Sequence, residues 1–148
     1  MAAESPGVAE YRSSVRNLVV NSKHLITILT RLADERKDHA NEVIGIIEEQ
    51  IIKAPSNQKL PVIYLINSIV KKVGEYYKKG FSNNLVKVFA HIFERVEEKT
   101  RKKLYELRQT WNGIIPESKH YDLDKHVHQL DPAWPITSSG KNKTQYQC

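Results

Sequence analysis

The chain has 148 residues, 40% apolar and 27% charged, with a formal net charge of +6. That is the size and balance of one ordinary soluble domain with a substantial core, and no apolar run approaches the roughly 20 residues needed to span a bilayer. Met1 to Gly7 holds Glu4 and no apolar stretch, so no secretory signal is read, and the single Cys148, unable to form an internal disulfide, points to a reducing compartment.

In chain order the sequence reads as helices throughout. Ser5-Pro6 is a cap followed by a first-turn proline, opening an amphipathic helix on Val8, Tyr11, Val15 and Leu18. Ser22 caps the next, with Leu25, Ile28, Leu29 and Leu32 at helical spacing. Asp38 is expected to cap a third, carrying Ala40, Val43, Ile44, Ile47 and Ile51. Pro55-Ser56-Asn57 breaks the chain before the helix from Leu60, which Gly74 ends. A short piece around Tyr76-Tyr77 and Gly80 follows, and then a helix capped by Ser82 with Leu85, Val88, Phe89, Ile92, Phe93 and Val96. Another is expected from Glu98 to Trp111, stopped by Asn112-Gly113 and Pro116, and a last one around Leu123 to Leu130. Pro132, Trp134 and Pro135 are read as an extended segment laid back on the fold. Residues 137–148 have almost no apolar content and read as a disordered tail, so the domain spans 1–136. No strand pattern appears. The fold class is therefore all-α, with many short helices stacked like a solenoid.

The helix from Leu60 to Gly74 is the most informative. At 100° per residue, Val62, Ile63, Leu65, Ile66, Ile69, Val70 and Val73 fill a wide apolar arc, while Tyr64, Asn67, Ser68, Lys71 and Glu75 form a narrow polar stripe opposite. A helix this apolar is expected to be wedged between others. Its stripe of phenol, amide, hydroxyl and ammonium reads either as handles for a polar or phosphorylated ligand or as an ordinary solvated edge. Charge is unevenly spread: residues 53–108 hold 13 lysines and arginines against 5 acidic residues. The middle of the chain thus suits an anionic partner such as nucleic acid, phosphopeptide or acidic lipid, or else it is a solvated basic face.

Catalysis finds little footing. There is no glycine-rich phosphate loop, nucleophile elbow or His-Glu-x-x-His. His126 and His128 diverge by about 160° on a helix, and no cysteine supports them or His120 as metal ligands. No catalytic residue, metal or cofactor is assigned.

Three segments carry a family resemblance. Asn21-Ser22-Lys23 with Leu25-Ile-Thr-Ile-Leu-Thr-Arg-Leu-Ala-Asp-Glu35, then Lys59-Leu-Pro-Val-Ile-Tyr-Leu-Ile-Asn-Ser-Ile-Val-Lys-Lys-Val-Gly74, and Phe81-Ser-x-Asn-Leu85 through Thr100-Arg-Lys-x-Leu104 to Trp111 resemble the CTD-interacting domain family. Those domains bind the YSPTSPS heptad repeats of the largest RNA polymerase II subunit. The terminal Leu130-Asp-Pro-Ala-Trp-Pro-Ile136 is most similar to the branch that couples pre-mRNA 3′-end cleavage and processing to transcription termination. The resemblance implies about eight helices in a right-handed superhelix, a nuclear location, and a groove between the second, fourth and seventh helices. It implies that Asn21, Ser22 and Lys23 stand at the groove's mouth and that Tyr64, Asn67, Ser68 and Lys71 line its floor. Arg108 is the basic residue nearest to where some relatives hold the heptad's phosphate, although their arginine aligns about where this chain has Glu106. The implied partner is the heptad repeat phosphorylated on its second-position serine, with other processing factors meeting regions outside this chain.

Two positions depart from the family pattern. Asn67 stands where relatives have the aspartate that accepts from the ligand tyrosine hydroxyl, and Lys72 stands where they have asparagine. An amide still accepts a hydrogen bond, without the charge-assisted share worth ~1 kcal/mol, and Lys72 adds a cation. Two other readings use the same basic residues. A trafficking adaptor of related fold would set Arg101-Lys102-Lys103 or Lys78-Lys79 against phosphoinositides, but no amphipathic anchor accompanies them. Direct RNA binding would use Tyr76, Tyr77 and Tyr105 as stacking platforms.

Overall fold

The computed structural model describes residues 5–136, and the expected tail at 137–148 lies outside them. The described residues form seven α-helices: α1 Pro6–Val15, α2 Lys23–Glu35, α3 Ala40–Lys53, α4 Lys59–Lys72, α5 Glu75–Arg95, α6 Glu98–Gln109 and α7 Glu117–Leu130. Short 3₁₀ turns precede α3 and α4, and no strand occurs among these residues. The fold class is all-α, as expected. The chain divides into two compact units, one ending at Phe81 and the other starting at Ser82, with α5 contributing to both.

In the first unit the local signals act as read. The Ser5 hydroxyl accepts from the Val8 amide ahead of Pro6, and the Ser22 hydroxyl accepts from the Leu25 amide at 3.1 Å. Gly74, at φ +121°, turns the chain out of α4 in a conformation that a Cβ would oppose. Asp38 does not cap α3. It sits inside the 3₁₀ turn Lys37–His39, which uses up the residues the cap required.

Helix α4 is the axis of this unit, packed against α2 and α3. Its expected apolar arc is buried from Val62 to Val70, and Val73 is half-buried. Buried Lys59 donates to the Ile51 and Ile52 carbonyls at 2.6 and 3.1 Å, satisfying the open end of α3 and tying it to the start of α4. Helix α2 is rotated from its expected face: Ile26, Leu29, Thr30 and Ala33 are buried, while Leu25, Ile28 and Leu32 are only half-buried. Tyrosine hydroxyls explain the turn. Tyr11 donates to the Leu29 carbonyl at 2.9 Å and Tyr77 to the Ala33 carbonyl at 2.8 Å. Burial raises both phenol pKa values, that of Tyr77 to about 12.

The expected break at Gly80 and cap at Ser82 are absent, and α5 runs through both. Two expected segments fuse, so the described residues hold seven helices and not eight. Gly80 costs a helix ~1 kcal/mol relative to alanine. Here it lies against Ile44 of α3, where a Cβ would collide with the isoleucine side chain, and close packing offsets that cost.

The second unit is built on Trp134 and a buried ion pair. The indole of Trp134 meets the rings of Phe89, Phe93 and Tyr105 edge-on at 5.7, 5.5 and 5.1 Å. Its Nε1–H donates to Asp124 Oδ1 at 2.9 Å. The terminal segment is thus laid back on α5, α6 and α7, but as a turn in which the Trp134 N–H donates to the Asp131 carbonyl at 2.9 Å and not as the expected extended segment. Helix α7 begins six residues earlier than expected because it buries polar side chains, His120 and Asp124, that leave no apolar signal.

Candidate functional site

The polar stripe of α4 is real but graded. Tyr64 and Asn67 are half-buried, Lys71 and Lys72 are exposed, and Ser68 is buried with 8% of its surface left. Glu75 leaves the stripe, because α4 ends at Lys72 and Glu75 opens α5. Partial burial lowers the Lys71 ammonium pKa below the ordinary lysine value. No Asp or Glu stands on this face between Lys59 and Lys72, so its fixed charge is wholly positive.

Asn21, Ser22 and Lys23 form the turn that opens α2. Asn21 and Lys23 are exposed, and Ser22 is half-buried with its oxygen engaged as the helix cap. An apolar step precedes them, with Val19 and Val20 exposed by 40% and 65%. Periodicity had marked neither valine, since both lie between helices. The two segments belong to helices that touch through hydroxyls. Thr30 Oγ1 and Ser68 Oγ are 2.7 Å apart, and Thr30 also donates to the Ile26 carbonyl at 2.7 Å. The structure therefore sets the Asn21–Lys23 turn and the Tyr64–Lys71 stripe on adjacent, hydrogen-bonded helices of one unit.

Arg108 is placed differently. It lies in the second unit, fully buried, with Nε and Nη2 each 2.8 Å from one oxygen of Asp124 and Nη1 2.9 Å from Asn112 Oδ1. A guanidinium kept from water needs such a fork of acceptors. Three of its five N–H donors are bonded within the fold, and its complete burial leaves it no face for a ligand. Asp124, sixteen residues on, was the missing signal, because nothing in its spacing marks it as buried.

Among the described residues no group of three His, Cys, Asp or Glu side chains stands close enough to hold a metal, and no helix is long and apolar enough to cross a membrane. The arrangement offers hydrogen-bonding groups of both kinds, three exposed cations in Lys23, Lys71 and Lys72, and a half-buried phenol. That set suits an extended polar or anionic chain.

Comparison with known proteins gives a consistent picture. The CID domain family profile matches residues 10–122. Polyadenylation and cleavage factor homolog 11 of Caenorhabditis elegans is 34% identical over 142 residues, covering 93% of this chain and 17% of that protein. Protein PCF11 of Saccharomyces cerevisiae is 36% identical over 104 residues, covering 70% of this chain and 17% of that protein. The chain thus spans about a sixth of the length of these relatives. A structure described as the crystal structure of the rpr of pcf11 superposes with a TM-score of 0.79 at 30% identity, covering 82% of this chain and 98% of that one.

Proposed function

Because the chain belongs to the CID domain family, we propose that residues 1–136 bind the heptad repeats of the RNA polymerase II C-terminal domain and so couple pre-mRNA 3′-end cleavage and processing to transcription termination. The observation that carries the reading is the α4 stripe, whose half-buried Tyr64 and Asn67 and exposed Lys71 lie on the helix hydrogen-bonded to α2, which the Asn21–Lys23 turn opens. The module binds and does not catalyse, and it works in the nucleus. The names of its relatives, a polyadenylation and cleavage factor among them, support the same setting.

The physics suits a transient grip. A heptad rich in proline, serine and threonine is disordered when free and loses entropy on binding. A small polar surface then binds it at micromolar levels or weaker, and tandem repeats raise the effective concentration. Phosphate on the second-position serine is favoured through Lys23, Lys71 and Lys72. Arg108 has no part in this, since its guanidinium is held by Asp124.

The test is titration of two-heptad peptides, unphosphorylated or phosphorylated once at the second or fifth serine, followed by amide chemical shifts. Tightest binding of the second-position form, with shifts on Asn21–Lys23 and Tyr64–Lys72, is expected. Tighter binding of the fifth-position form, or equal binding of all three, rejects the phosphate assignment. No binding of any form rejects the function.

A further inference from the structure

We propose that Thr30 is a positioning residue for the groove, holding the Asn21–Lys23 turn and the α4 stripe in register by accepting a hydrogen bond from the Ser68 hydroxyl. This rests on the heptad-binding reading above. A hydroxyl has one proton and two lone pairs. The Thr30 proton goes back to the Ile26 carbonyl, within its own helix, at 2.7 Å. A carbonyl cannot donate, so the 2.7 Å contact between Thr30 Oγ1 and Ser68 Oγ has one possible polarity: Ser68 donates and Thr30 accepts. Thr30 is 6% exposed and Ser68 8%, so this chain of two hydrogen bonds is shielded from water.

Two consequences follow. Thr30 is seven residues from Lys23 along α2, about 10 Å, while Ser68 sits between Asn67 and Lys71. One buried bond therefore references both halves of the groove to each other. The tyrosine bonds to Leu29 and Ala33 hold α2 against α1 and the start of α5, and the bond between Thr30 and Ser68 ties α2 to the stripe. Second, the Ser68 O–H is committed to Thr30, so only its lone pairs remain open to another partner. It cannot donate to a phosphate oxygen while that bond holds, which leaves the lysines as the charged partners of a phosphate.

Thr30→Val, Thr30→Ser and Ser68→Ala test this, with melting used to confirm the fold. Heptad peptides are titrated well below the melting temperature, and amide shifts are recorded without ligand. Thr30→Val is expected to weaken both unphosphorylated and second-position phosphorylated peptides by at least about threefold, with Thr30→Ser within about twofold of wild type. Thr30→Val should add little in a Ser68→Ala background, because the two residues act as a unit. Ser68→Ala should leave the ratio of phosphorylated to unphosphorylated affinity unchanged. In the free protein, Thr30→Val should move amide signals of both Asn21–Lys23 and Asn67–Lys71. A Thr30→Val chain that melts lower yet binds both peptides like wild type overturns the proposal, because the bond then only stabilises. A Ser68→Ala loss confined to the phosphorylated peptide overturns the donor assignment. If wild type binds no heptad peptide, the groove reading fails. The ligand-free shifts then decide the bond's role: movement in both segments upholds it, and movement confined to the neighbours of Thr30 overturns it.

Discussion

Two side chains on the stripe separate charge from hydrogen bonding. Lys71 is exposed and outside the apolar arc, so its reversal should act on the ligand and not on the fold. Lys71→Glu is expected to weaken binding of the second-position phosphopeptide by about 1–3 kcal/mol with melting nearly unchanged. Wild-type affinity in that variant would remove the stripe from the site. The family resemblance puts Asn67 where relatives carry an aspartate. Asn67→Asp should strengthen the unphosphorylated peptide through a charged acceptor for the ligand tyrosine hydroxyl, and should help the phosphorylated peptide less, since the new charge also repels phosphate. The opposing effects are each ~1 kcal/mol, so the sign of the difference is the expected outcome. It is read from two peptides and two proteins at one salt concentration. Equal gains would mean residue 67 does not face the ligand.

At the level of elements, α4 supplies both the core of its unit and its candidate binding face, on opposite sides of one helix. Ile69 is fully buried one residue beyond Ser68. Ile69→Ala should cost ~2–5 kcal/mol of unfolding free energy, through lost transfer and a cavity between packed helices. The folded fraction should still bind heptads. Denaturant midpoints for Ile69→Ala and Lys71→Glu therefore form a contrast, one variant losing stability and the other affinity. A stable Ile69→Ala chain would mean the arc does not pack as described. Helix α2 works by similar division, its buried side pinned by hydroxyls from Tyr11, Ser68 and Tyr77 and its first turn left open.

The whole molecule carries a pH dependence through His120. Burial lowers its pKa below 6.5, outweighing the hydrogen bond from its Nε2–H to the Trp111 carbonyl at 2.8 Å, which favours the charged ring. The unfolded chain binds the proton more readily. Stability from this residue is therefore full above the ordinary histidine pKa and falls as pH drops below it. Urea midpoints should fall between pH 7.5 and 5.5, and His120→Gln should flatten that slope even if its midpoint at pH 7.5 is lower. An unchanged slope would mean another group carries the dependence.

The sequence by itself determined the all-α class, the caps at Ser5 and Ser22, the end of α4 at Gly74, and the apolar arc that leaves Tyr64, Asn67 and Lys71 on one face. Those features are local: a hydroxyl three residues before an amide, a glycine that takes positive φ, a period of 3.6. The resemblance to CTD-interacting domains was legible for the same reason, since its motifs are contiguous. Tertiary structure alone decided what depends on a partner far along the chain. Gly80 lies inside a helix with the Ile44 side chain packed against it, and buried Thr30 meets Ser68 from 38 residues away. Arg108 is withdrawn from any ligand because Asp124 and Asn112 take its donors. A buried polar residue carries no mark of burial in the sequence; its partner's position makes burial tolerable, and only the packed fold supplies that position.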